Sequence, residues 1–137
     1  MKQLTSQMAT TKEQSKRLTA LGILPQTADM LIDSHGILET IAYSAYDGHR
    51  MQKELLPAWS LSRLIEMLPD TIPDPKPGFN PHHPELIKNE SGYSLSIRRF
   101  TADCLIGTHI EKGPIECCVS MIDWLIKNHH FDKEYLA

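Results

Sequence analysis

The sequence has no long uninterrupted apolar run, and this absence bears on where the protein works. No segment approaches the roughly 20 apolar residues that are needed to cross a bilayer. Residues 1–7 also lack the apolar region of a secretory signal peptide. We therefore predict a soluble, cytoplasmic protein with no membrane partner.

Cysteine is scarce, and its spacing argues against both disulfides and a metal site. The chain has 3 cysteines and 7 histidines. An odd number of cysteines, two of them adjacent, does not make a disulfide framework and is typical of a reducing compartment. A structural zinc site needs paired ligands two to four residues apart, whereas the pairs here are adjacent: 82–83, 117–118 and 129–130. Because neighbouring helix positions point about 100° apart, Cys117 and Cys118 would not share one ion, and we predict no metal site.

An excess of positive charge is also missing. The formal net charge is -3 and the isoelectric point is near 6.1, which argues against a nucleic acid as the partner. Among the 14 lysines and arginines, two sets are the candidates for a basic face: Lys12, Lys16 and Arg17 on the first predicted helix, and Arg98 with Arg99 at a strand end. Nucleic-acid binding would require these sets to join in one basic face. Since no glycine-rich phosphate loop occurs either, we predict no cofactor.

One cysteine and one histidine are spaced so that they could form a nucleophile pair. Cys117 falls in the first turn of the last predicted helix, where the helix dipole lowers the pKa of a thiol. His109 lies on the preceding predicted strand. No orienting third residue or oxyanion-hole motif accompanies them, so we favour packing, and we predict no catalytic residues and no enzymatic activity. A pocket that gathers His109 and Cys117 would indicate otherwise.

The residues that are present predict one α+β domain over 1–137. An apolar content of 41% and a charged content of 23% are those of a globular chain. Residues 1–10 are polar without a period, so we predict a frayed lead-in. Thr11 and Gln14 then form a capping box that begins a helix over 12–21, and Gly22 ends it.

Two segments after this helix are ambiguous. Segment 28–32 is apolar around Asp29 and fits either a short strand or a helix. Segment 37–46 is rich in Ile, Tyr and Thr and is followed by the turn signal Asp47-Gly48, which favours a strand. Its apolar residues also fit one face of a helix, so both alternatives stay open.

The middle of the chain combines a short helix with a proline-rich stretch. Ser60 is a good N-cap for a helix whose apolar residues recur at helical spacing. Trp59 lies where it would pack on Leu64 as a hydrophobic staple, which favours a packing role over an exposed anchor. Six of the nine prolines fall within positions 69–84, and we predict an exposed, proline-rich loop over 69–91.

The C-terminal third carries the clearest pattern. Apolar and polar residues alternate over 92–100, and an apolar segment, 104–110, follows a short turn, which predicts a hairpin. Gly113-Pro114 then begins a long helix. Its apolar face comprises Ile115, Cys118, Val119, Ile122, Leu125 and Ile126, flanked by Met121 and Trp124. We predict a small antiparallel sheet with the N-terminal helix, the short middle helix and this long C-terminal helix packed on it.

Several runs of the chain carry a resemblance to a known group of proteins. They are 11–18, 21–23 with 27–30, 56–61 with 64–69, 113–118 and 121–125. Together they resemble small uncharacterised proteins found in prophages and mobile elements of gut Bacteroidetes. This resemblance, joined to the missing catalytic motifs, implies a non-enzymatic accessory or protein-interaction protein of phage or mobile-element origin. Its partner would be a protein, with a homodimer through a sheet edge as one form.

A second, local resemblance leaves an alternative. The step Gly113-Pro114-Ile115-Glu116 into the last helix is similar to that of HicB-type antitoxins. This implies an antitoxin-like or nucleic-acid-binding regulatory protein. The similarity covers only the C-terminal strands and helix.

Overall fold

The protein, as a computed structural model, is described over residues 7–40, 55–99 and 104–137, with only the backbone for 104–108. The described part has three helices and two antiparallel three-stranded sheets, which confirms the α+β class, with two sheets where one was expected. The helices are α1 (Lys12–Ala20), α2 (Leu61–Met67) and α3 (Pro114–Lys127). The strands are β1 (Met30–Ile32), β2 (Leu38–Thr40), β3 (Leu56–Ala58), β4 (His83–Asn89), β5 (Gly92–Arg98) and β6 (Cys104–Glu111). None of the three helices is long and apolar enough to cross a membrane.

Helix α1 begins and ends as its sequence predicts. The backbone N–H of Gln14 donates to Thr11 Oγ1, and the N–H of Thr11 donates to the Gln14 side chain, which completes the capping box. Gly22 ends the helix with a φ of 96°, a conformation that glycine adopts without strain. The next residue, Ile23, turns back so that its N–H donates to the carbonyl of Leu18 at 3.2 Å.

The expected frayed lead-in is wrong for its last residues. Residues 1–6 lie outside the described part, but Ala9 and Thr10 are only 2% and 1% exposed. Ala9 forms a bridge with Ser60, and the N–H of Thr10 donates to the carbonyl of Trp59 at 2.9 Å. This segment is held by backbone pairing to a distant part of the chain, for which its own polar sequence gives no signal.

The first sheet has the order β2-β1-β3 and shows a strand within 28–32 and at 38–40. Segment 28–32 contains strand β1, and 37–46 begins with strand β2. Residues 41–46 lie outside the described part. Asp33 shapes the turn between the strands, because its Oδ1 accepts from the N–H groups of His35 and Ile37, both at 2.9 Å.

Helix α2 is joined to the preceding segments by a set of hydrogen bonds around Trp59. Ser60 Oγ caps the helix by accepting from the N–H of Arg63. Trp59 is 0% exposed and belongs to the same core as Leu64, which confirms its packing role. Its indole Nε1–H donates to Thr27 Oγ1 at 2.9 Å. Asp29 accepts from the backbone N–H of Ser60 at 2.8 Å and from its hydroxyl.

The loop predicted over 69–91 is wrong for its last part. Residues His83–Asn89 form strand β4, which pairs antiparallel with β5. Ahead of this strand, Ile72 and His82 exchange backbone hydrogen bonds at 2.7 and 2.8 Å and are both buried. Strand β4 is the edge of its sheet, and an edge strand tolerates Pro84 because one side of it needs no N–H donors.

The second sheet, with the order β4-β5-β6, confirms the predicted pairing of 92–100 with 104–110. Its turn residues 101–103 lie outside the described part. Leu95 and Ile97 of β5 are at most 1% exposed and pack in the main core with α3. The buried residues of α3 are Ile115, Cys117, Cys118, Val119, Met121, Ile122 and Leu125. The predicted face therefore omitted Cys117 and included Ile126, which is only partly buried.

The apolar residues divide into two cores of unequal size. The main core lies under α3 and takes in α2, β5 and most of the buried residues. The second core consists of Ala9, Ile32 and Ala58, with partly buried residues packed around it. These three belong to the N-terminal segment, β1 and β3. The first sheet thus has a small apolar cluster of its own.

Helices α1 and α3 are joined by an ion-pair network. Arg17 lies 2.9 Å from Asp123 Oδ2 and 3.3 Å from Glu116 Oε1, and Lys127 lies 2.7 Å from Asp123 Oδ1. Burial alone would raise the pKa of Asp123, but hydrogen bonds from Lys127 and Arg17 outweigh it and hold the pKa below its ordinary value. The folded state is therefore stabilised by the ionised carboxylate.

Replacing Trp59 by Phe removes the indole N–H and leaves Thr27 Oγ1 without this donor inside the protein. We expect the free energy of unfolding to fall by about 1–3 kcal/mol, as measured by urea unfolding followed by circular dichroism. Trp124→Phe is the matched control, because Trp124 is only partly buried, and it should cost clearly less. Equal losses for the two variants would contradict the role given to Trp59.

Replacing Arg17 by Ala should lower the free energy of unfolding at pH 7 by about 1 kcal/mol or less, because the ion pairs are partly exposed. A lowered pKa stabilises the fold above the pKa of the unfolded chain, and that stabilisation is lost as the pH falls through the folded-state pKa. The difference in the free energy of unfolding between wild type and Arg17→Ala should therefore shrink as the pH falls to about 3. Urea unfolding at each pH measures it. Lys16→Ala is the control on the same helix. A difference that stays constant with pH would exclude the Asp123 pair as its source.

Candidate functional site

The structure places the thiol of Cys117 inside the core. Its side chain is 0% exposed, and Sγ lies 3.4 Å from the carbonyl oxygen of Tyr93 and 3.5 Å from that of His109. The thiol thus contacts the backbone of His109. Burial raises the pKa of Cys117 and raises that of Cys118 to about 12, so neither thiol is activated at neutral pH. Burial likewise lowers the pKa of His109, with Glu111 opposing the shift.

The histidine pairs do not gather into a metal site. His82 is buried, His83 begins β4, and His130 stacks on Trp124 with ring centroids 5.8 Å apart. Over residues 7–40, 55–99 and 104–137, no three His, Cys, Asp or Glu side chains lie close enough to hold a metal ion.

The two sets of basic residues lie in different surroundings. Arg99 Nη1 lies 3.6 Å from Asp74 Oδ2, and its guanidinium lies over the Phe79 ring at 5.1 Å. His82 Nε2 approaches the same Asp74 oxygen at 3.7 Å. This cluster fixes the proline-rich segment against the end of the second sheet. Lys12 and Lys16 instead line a groove beside the first sheet.

This N-terminal groove is a broad concave feature of the described residues. It has a volume of about 1030 Å³ and is open to solvent. One wall is the segment before α1 together with the first turn of α1. The other wall is the β1–β2 turn. The described residues that line it are Gln7, Met8, Ala9, Thr10, Thr11, Lys12, Lys16, Ile32, Asp33, Ser34, His35, Gly36, Leu38, Leu55 and Leu56.

The floor of the groove is the second core. Ala9 and Ile32 belong to its buried part, and Leu38 and Leu56 pack against them while remaining partly exposed. Met8 at the rim is 68% exposed. The main core is covered by α3, whereas none of the three described helices contributes to the second core. The groove therefore presents apolar surface that the described chain leaves in contact with water.

The rim of the groove has an excess of available positive charge. Lys12 and Lys16 are exposed, lie one helical turn apart, and form no ion pair with a described residue. Asp33 on the opposite wall already accepts hydrogen bonds from the backbone of His35 and Ile37. The groove thus combines an apolar floor with two unneutralised ammonium groups, which suits an acidic group next to an apolar side chain.

Sequence reasoning missed this groove. Its walls come from residues 7–12, 16, 32–38 and 55–56, and no motif joins these segments. The available signal was the pair of adjacent apolar residues Met8 and Ala9 in the N-terminal stretch. The prediction of a frayed lead-in gave this pair no role.

Comparison with known proteins identifies no relative. No family model, no curated protein and no solved structure matches this chain. The resemblances to mobile-element proteins and to HicB-type antitoxins therefore stay predictions.

A Cys104→Ser variant leaves Cys117 and Cys118 as the two thiols of the chain. With a neutral aromatic disulfide at pH 8, these thiols should react roughly a hundredfold more slowly in the folded chain than in urea. The reason is that both thiols are buried and largely protonated in the folded chain. The release of coloured thiolate measures the rate. A folded chain in which one thiol reacts as fast as in urea would show that it reaches solvent.

Proposed function

We propose that this is a non-enzymatic accessory protein that works by binding another protein in its N-terminal groove. The observation that carries the proposal is the second core, whose apolar residues lack a covering helix in the described chain and whose rim holds Lys12 and Lys16. A cytoplasmic location and an origin in a phage or mobile element are parts of the same proposal. The free thiols of Cys117 and Cys118 support the first, and the resemblance described above supports the second.

The groove chemistry selects a partner segment of definite character. Burial of a large apolar side chain contributes roughly 1.5–3 kcal/mol, so one or two such residues seated over Ile32 and Leu38 would supply most of the affinity. A carboxylate that reaches Lys12 or Lys16 adds orientation and a faster association rate more than affinity. We therefore propose a peptide segment with an acidic residue next to large apolar residues.

The alternative is an antitoxin-like or nucleic-acid-binding regulatory protein. It is supported by the local resemblance of the C-terminal unit and by Arg98 and Arg99 at the end of β5. Arg99, however, lies beside Asp74, and the two lysines of α1 face a different surface. A basic face that joins all four residues would be needed for the alternative to have the electrostatic basis of polyanion binding.

Selection from a random peptide library on the immobilised full chain tests the proposal. We expect enrichment of sequences with Asp or Glu next to large apolar residues. For the best synthetic peptide, the Lys12→Glu, Lys16→Glu double variant should raise the dissociation constant by about tenfold or more. Met8→Ser should also weaken binding without a change in stability, because Met8 is largely exposed.

Lys88→Glu with Lys133→Glu makes the same change of net charge on exposed lysines outside the groove and should leave peptide affinity unchanged. Enriched peptides without acidic residues, or equal losses in the two double variants, would overturn the proposal. Retention of the chain on DNA or RNA at physiological salt that Arg98→Ala abolishes would favour the alternative instead.

A further inference from the structure

Strand β6 forms the free edge of the second sheet. It pairs with β5 on one side, and no other described strand pairs with it. Such an edge presents a row of unpaired N–H and C=O groups, which other strands can join unless the edge is protected. The two edges of this sheet differ in that protection.

The β4 edge carries several protective features. It contains Pro84, it has Glu85 and Lys88, and the bridge between Ile72 and His82 lies at its start. Strand β6 has no proline or lysine, and its one charged residue apart from histidine is Glu111 at its end. A register shift opposite Ser96–Arg98 distorts its first half. The regular free edge is thus Thr108–Glu111.

We propose that a second copy of this chain pairs with this edge, antiparallel to it, about a two-fold axis at Ile110. This register sets Ile110 against its own counterpart and sets His109 opposite Glu111 of the partner subunit. Ile110 is 59% exposed, and it lies on the open face of the sheet, away from α3. The pairing joins two three-stranded sheets into one of six strands.

Two features favour a second copy over an unrelated strand. The register is self-complementary, because it pairs β-branched residues with each other and an imidazole with a carboxylate on both sides of the axis. The contact is also closed, because each copy uses its unprotected β6 edge and the joined sheet then ends on a protected β4 edge at either side, so pairing through this sheet stops at two chains. This inference rests on the proposed function in one respect. Both take the protein to bind other proteins, and here the partner is a second copy of the same chain.

Cross-linking at the axis is the sharpest test. Antiparallel partners directly opposite each other have Cα atoms about 4.5–5.5 Å apart, which suits a disulfide. In the Cys104→Ser background, Ile110→Cys should therefore form covalent dimers on mild oxidation. Ile87→Cys is the matched control, because Ile87 and Ile110 lie on either side of Ser94 in the same row of the sheet. We expect it to stay monomeric in denaturing electrophoresis.

Sedimentation equilibrium supplies the second measurement. Wild type should be dimeric. Ile110→Lys should raise the dissociation constant of the dimer by at least about tenfold, because two like charges then meet at the axis. Ile87→Lys, with the same change on β4, should leave it unchanged. A wild-type chain that stays monomeric, or equal effects of the two lysine variants, would overturn the proposal. A monomer that still selects acidic peptides through its groove would leave the proposed function intact, so the two failures are distinguishable.

Discussion

The rest of the structure depends on the hydrogen-bonded junction around Trp59. A fully buried indole has an N–H that must find an acceptor, because an unsatisfied buried donor costs about 1–3 kcal/mol, and Thr27 supplies it. The backbone of Trp59 is paired with Thr10, and the following Ser60 is held by Asp29. Trp59 and Ser60 therefore fix the N-terminal segment, the turn before β1 and the start of α2 relative to one another. The segments 27–30 and 57–61 meet at this junction and contribute there to folding, whereas Leu56 just before them lines the groove.

The junction also accounts for the division of the apolar residues. Trp59 belongs to the main core, whereas its neighbour Ala58 belongs to the second core with Ala9 and Ile32. Ala58 is the last residue of β3 and Trp59 follows it directly, so their side chains point to opposite sides, as those of successive residues in an extended segment do. The main core is completed by α3, which contributes the largest buried face of any described helix. The second core has one large buried side chain, Ile32, beside two alanines and several partly buried residues. The groove is the space that this small cluster leaves open.

Local signals made part of this fold predictable. The capping box at Thr11, the N-cap Ser60 and the step Gly113-Pro114 each act within one helical turn, so the sequence alone places the three helices. Strand β4 was missed because Pro84 and the prolines before it are typical of a loop, although an edge strand tolerates a proline. The burial of Ala9 depends on a bridge to Ser60 about fifty positions away. Cys117 shows the same limit in chemical terms, because its helix position predicts a lowered thiol pKa while burial against the second sheet raises it.

The two proposed surfaces, the β6 edge and the groove, recognise different features of a partner, so one protein could use both at once. The β6 edge offers mainly backbone groups, which bind any strand of matching register, so its selectivity comes from self-complementarity at Ile110. The groove offers side chains, an apolar floor and the ammonium groups of Lys12 and Lys16, so its selectivity is chemical. A dimer would carry two such grooves, one on each copy. A partner that presents its segment twice would then bind with an avidity 10²–10⁴ times that of one groove where the geometry permits both contacts. Weak grooves would suffice for an accessory protein of this kind, because pairing along β6 supplies the second contact.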